Sequence, residues 1–98
     1  MLKIVQKGDF MDTGSVSKIL DEINHDRTVP RNIRTAIENV RQSLGDGKTE
    51  IAVRINNAIS ILDEVSNDPN IPIYTRTQIW NVVSMLEVMN EESKKVKN

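Results

Sequence analysis

The chain has 98 residues, 38% of them apolar, with 13 basic against 14 acidic side chains and no cysteine. That is enough for one domain with its own core, and the near cancellation of charge leaves no electrostatic reason to expect nucleic acid as a partner. The absence of cysteine excludes disulfides, thiolate zinc sites and cysteine nucleophiles together, and fits a reducing compartment.

The opening residues carry Gly8 and Gly14 without a sustained hydrophobic period, so residues 1–12 read as a flexible N-terminal extension. No apolar run reaches the roughly 18 residues of a membrane span, and the start lacks the apolar stretch of a signal peptide, so a cytoplasmic location is expected. From Ser15 onward Val16, Ile19, Leu20 and Ile23 fall at i, i+3, i+4 and i+7, which predicts a first helix to about His25, capped by Ser15 or Thr13. Asp26-Arg27-Thr28-Val29-Pro30 breaks it, because the proline ring drives Val29 out of the α region while Pro30 suits the first turn of a new helix. That second helix turns Ile33, Ala36, Ile37, Val40 and Leu44 inward, and Gly45 is placed to end it in the left-handed conformation.

After Gly45-Asp46-Gly47, Thr49 is placed to cap a third helix whose Ile51, Ala52, Ile55, Ala58, Ile59, Leu62 and Val65 form a broad apolar face. Asp68-Pro69-Asn70-Ile71-Pro72 repeats the first break. The fourth helix then carries Ile79, Val82, Val83, Leu86 and Met89 on one side. The chain turns polar from Glu91, and residues 93–98 read as a frayed tail behind a single domain over 13–92.

The second half echoes the first. At an offset of 42 residues, Val16 to Leu44 and Ala58 to Leu86 share 12 identities in 29 positions, among them Ile19-Leu20-Asp21-Glu22 with Ile61-Leu62-Asp63-Glu64. Pro30 recurs as Pro72 and Arg34-Thr35 as Arg76-Thr77. Two hairpins are too few for an open solenoid, which needs about three repeats to bury its faces. The expected fold is therefore all-α, a compact antiparallel four-helix bundle made of two tandem helical hairpins, with short loops making sequential helices neighbours.

The run from Ile59 through Ile61-Leu62-Asp63-Glu64 and Asp68-Pro69-Asn70-Ile71-Pro72, followed by Thr75-Arg76-Thr77 and Ile79-Trp80-Asn81, resembles a family of small, uncharacterised, all-helical archaeal proteins. The resemblance covers about residues 15 to 90 and implies a compact four-helix fold, with no activity to carry over. Each half is also faintly similar to a HEAT repeat, although the interval from Asp26 to Arg34 and from Asp68 to Arg76 is two residues longer than that pattern.

Few residues suggest chemistry. Glu22-Ile23-Asn24-His25 has the Glu-x-x-His spacing of di-iron carboxylate bundles, but the second copy reads Glu64-Val65-Ser66-Asn67 and offers no second histidine. Glu22 and His25 are thus weak metal candidates beside the simpler reading of a solvated helix end, where His25 favours the dipole. No cofactor is expected, and neither a serine-histidine-acid set nor a glycine-rich phosphate loop is present. Asp26 with Arg34 and Asp68 with Arg76 occupy equivalent corners and read as structural pairs, each aspartate accepting turn amides while the arginine packs over it. Arg27, Arg31, Arg34 and Arg41 give the second helix a basic side, but three aromatic residues in the whole chain leave little for base stacking.

The halves differ most in polarity. Glu38, Arg41 and Ser43 become Trp80, Val83 and Met85, and Arg31-Asn32 become Ile73-Tyr74. Either the fourth helix is the central one, with Trp80 inward, or Tyr74, Trp80, Met85, Val88 and Met89 face a protein partner or a second copy. The expected function is a non-enzymatic interaction module. A lipid-associating domain similar to saposin-like proteins in helix count and size is the alternative, without the disulfides that hold those proteins.

Overall fold

The computed structural model describes residues 13–97, with side chains over 14–92. The expected extension over residues 1–12 lies outside the described residues. Four helices follow in order, α1 over Thr13–Asn24, α2 over Arg31–Leu44, α3 over Ile51–Ser66 and α4 over Ile73–Lys97. Among the described residues there is no strand. α1 packs on α2, α2 on α3, α3 on α4, and α4 returns to α1, so the helices close a ring and diagonal pairs stay apart. This is the all-α bundle that the short loops and 3.6-residue periods imply.

The core follows those periods. Val16, Leu20 and Ile23 from α1 meet Ile33, Ile37 and Val40 from α2, Ile55, Ala58, Leu62 and Val65 from α3, and Ile79, Val82, Leu86 and Met89 from α4. Val29 and Ile71 join them from the corners. Each of these large side chains contributes about 1.5–3 kcal/mol by leaving water. Two polar residues of α4, Thr75 and Gln78, are buried as well.

The three corners are built alike. In each an aspartate donates its N–H to the carbonyl three residues back, Asp26 to Ile23, Asp46 to Ser43 and Asp68 to Val65 (3.1, 3.3 and 3.0 Å). The aspartate carbonyl accepts the N–H three residues on, from Val29, Thr49 and Ile71 (3.1, 3.1 and 3.5 Å). Its carboxylate accepts the amide two residues on, from Thr28 at 2.9 Å, Lys48 at 3.0 Å and Asn70 at 2.8 Å. This is the Asx turn, in which a short acidic side chain satisfies an amide of the turn itself. The fourth residue on, Pro30, Glu50 or Pro72, accepts the first intrahelical N–H of the next helix from Arg34, Arg54 or Arg76, each at 3.0 Å.

Three sequence expectations about helix ends are corrected. Gly45 is not left-handed: its φ of −90° and ψ of 0° are open to any residue, and its N–H reaches Arg41 and Gln42 directly. A Cβ there would meet the Arg41 carbonyl at 3.5 Å, an ordinary contact, so the turn owes its shape to Asp46 rather than to glycine. Thr49 does not cap α3, because its hydroxyl donates back to Asp46 Oδ2 at 2.7 Å and Glu50 holds the cap position. Ser15 lies inside α1, which begins at Thr13.

Candidate interaction surface on the last helix

The corner arginines, the first candidates, serve the fold. Arg76 donates from Nε to the Ser66 carbonyl at 3.1 Å and from Nη2 to the Asp68 carbonyl at 3.0 Å, tying down the end of α3. Arg54 does the same one corner earlier, with Nε on the Thr49 carbonyl at 2.8 Å and Nη1 on that of Leu44 at 3.1 Å. Arg54 and Arg76 thus clamp backbone carbonyls across their corners, and the aspartate side chains serve their own turns. Arg34 has the same place at the first corner, where its Nε is buried without a hydrogen-bond partner among the described residues. The Asp46/Arg54 corner was missed in the sequence because an offset of 42 steps over it; its signal is the shared Asp-to-Arg interval of eight residues at 26/34, 46/54 and 68/76.

Hydrogen bonding at the corners also sets local acidity. The Thr28 hydroxyl and amide hold the Asp26 carboxyl below its ordinary 3.8. The Thr49 hydroxyl and then the Lys48 amide do the same for Asp46.

The Glu-x-x-His pair on α1 is used locally. Glu22 accepts from Gln78 Nε2 at 3.2 Å, which ties α1 to α4, and His25 Nδ1 lies 2.8 Å from the Asp21 carbonyl. Among the described residues no three histidines or carboxylates gather where a metal ion would be held. The basic side of α2 is partly neutralised, since Arg41 pairs with Asp21 at 3.1 Å and with Glu38 at 3.7 Å.

What remains is α4. Its inner face presents Thr75, Gln78, Ile79, Val82, Leu86 and Met89 to the bundle. On the opposite side Ile73, Thr77, Trp80, Ser84 and Val88 succeed one another at intervals of four, three, four and four residues, which is one stripe of an α-helix. Ile73 is 79% exposed, Trp80 55% and Val88 60%, with Tyr74 beside them at 68%. The expectation that Trp80 turns inward as the filling of a central helix is therefore overturned. The inner stripe of α4 is filled by Thr75 and Gln78 together with Ile79, Val82, Leu86 and Met89, and the indole lies on the opposite, solvent side.

Of the five residues singled out on this helix, Tyr74, Trp80 and Val88 stand exposed together, Met85 is half-buried against the core, and Met89 is core. Ile73 was missed as a candidate; its signal was the exchange of Arg31 for Ile73 between the halves. The matching outer stripe of α2 is Arg31, Thr35, Glu38 and Gln42, as polar as a solvated helix should be. Among the described residues no helix is long and apolar enough to cross a membrane.

No curated protein matches the chain. Two solved structures do. A Methanococcus protein of unknown function is 46% identical, with a TM-score of 0.77 over 88% of this chain and 96% of that one. A protein from Thermoplasma acidophilum, from the uncharacterised family UPF0147, is 34% identical, with a TM-score of 0.75 over 79% of this chain and 91% of that one. The model of that family matches residues 5–89, starting upstream of the residues that carried the resemblance. The chain thus belongs to the uncharacterised protein family UPF0147.

Proposed function

We propose that the protein is a non-enzymatic helical interaction module of the cytoplasm, and that it binds another protein through the outer face of α4. The observation that carries this reading is the joint exposure of Ile73, Tyr74, Trp80 and Val88 along one helix face. Large aromatic and aliphatic groups are kept out of water wherever the core has room, and a contiguous group of them on a surface marks a contact region. Tryptophan and tyrosine are also the side chains that supply most binding energy at protein interfaces. The exposed acids Glu87 and Glu91 near the far end of the strip disfavour an anionic lipid surface as the occupant.

The test is affinity capture from the native cell with the wild-type chain and with a Tyr74→Ser/Trp80→Ser/Val88→Ser variant of equal melting temperature. A protein held by the first and released by the second is the expected result. Identical sets held by both would remove the reading.

A further inference from the structure

We infer that the occupant of the strip is a second copy of this chain, with α4 packed antiparallel on α4 about a two-fold axis at Trp80. This rests on the interaction-module reading above and names its partner.

The strip is its own complement. A two-fold interface requires one surface to match itself, so that the groups on either side of the axis pair in exchange. Along the strip the side chains run large, small, large, small, large, as Ile73, Thr77, Trp80, Ser84 and Val88. Placing the axis between Trp80 and Asn81 sets Ile73 level with the partner's Val88, Tyr74 level with the partner's Glu87, and Thr77 level with the partner's Ser84. The indole of Trp80 then lies beside the partner's Trp80, in space left by the small Thr77 and Ser84. Ile73, Trp80 and Val88 each find an apolar counterpart in this single register, and Tyr74 lies at its margin.

Charge selects the antiparallel sense. Glu87, which is exposed, comes level with the partner's Tyr74 in the first turn of α4, where free amides and the helix dipole present positive potential, and Glu91 lies just beyond it, level with the partner's Asn70. That first turn holds no acidic residue of its own. A parallel pairing would set Glu87 and Glu91 against the same residues of the other copy, which is repulsive.

The size is also adequate. At ~150–250 Å² for a whole large side chain, the exposed parts of these four residues amount to on the order of 500 Å² per copy. A stable interface buries about 800 Å² per partner with a core about 65% apolar, so the strip supplies the apolar share and its polar margin the rest.

Sedimentation velocity of the full chain tests association, with a concentration-dependent dimer expected and at least about a 30-fold weaker dissociation constant for Trp80→Ser. The register is read by cross-linking, for which the lack of cysteine gives a clean background. A mixture of the single variants Thr77→Cys and Ser84→Cys should form the mixed disulfide in preference to either like pair under mild oxidation. A monomer at every concentration, a dimer indifferent to Trp80→Ser, or preferred like-pair disulfides would each overturn the proposal. A monomer that still captures another protein through Trp80 would overturn only the second copy and leave the interaction module standing.

Discussion

Thr75 holds in α4 the position that Ile33 holds in α2, and both are buried. Thr75 Oγ1 lies there without a hydrogen-bond partner among the described residues. A buried hydroxyl left unpaired costs about 1–3 kcal/mol by mutational measures, so Thr75→Val, which keeps the shape and removes the polar atom, should raise stability by about 1 kcal/mol. Urea unfolding at constant slope checks it. The corner carboxylates make a second prediction. Asp26 and Asp46 titrate below 3.8 when folded, so their stabilisation is complete above the unfolded value and fades as pH falls through the depressed folded one. An Asp26→Asn/Asp46→Asn chain keeps an oxygen for the same amides but does not titrate there. Its loss of stability between about pH 5 and 2 should be shallower than that of the wild type, as read by thermal melts.

The corner is the repeated element of this fold, and at two of its three copies the arginine, Arg54 or Arg76, spans two backbone carbonyls across the turn. Removing that fork in Arg76→Ala should cost about 1.5–3 kcal/mol, the range for hydrogen bonds to charged groups. Arg76→Lys should recover little, since a single ammonium does not reach both the Ser66 and Asp68 carbonyls in the planar geometry of a guanidinium. Arg41→Ala, which breaks only exposed pairs with Asp21 and Glu38, should cost no more than about 1 kcal/mol. Urea midpoints of the three variants rank them. At this scale the apolar stripes were legible, because Leu20, Ile37, Leu62 and Ile79 sit where a 3.6-residue period puts them. The turns were less so. Glycine and threonine preferences pointed to Gly45 and Thr49 as caps, whereas the local competition was won by Asp46, whose carboxylate takes the Lys48 amide and the Thr49 hydroxyl. Periodicity also marks a stripe without saying how much of a helix the core can absorb, which is why it left Trp80 open between the core and a partner-facing surface.

Across the whole molecule, the two halves fill the core in similar measure. Ile33, Ile37 and Val40 of α2 face Ile79, Val82, Leu86 and Met89 of α4 across a closed ring. Of the extra apolar content of the later half, Val83 and Met85 pack half-buried against the core, while the larger share lies outward, on Ile73, Tyr74, Trp80 and Val88. This separates two kinds of substitution by how their effect depends on concentration. Leu62→Ala empties a fully buried site and should cost about 2–5 kcal/mol at every dilution. Trp80→Ser should be nearly silent in dilute solution, within about 0.5 kcal/mol, as a surface change away from packing. At higher concentration the wild-type melting point should climb, because association draws only on the folded chain, while that of Trp80→Ser stays level. Melting curves across a concentration series read both effects, and a Trp80→Ser chain that melts as early as Leu62→Ala when dilute would mean that the indole belongs to the core.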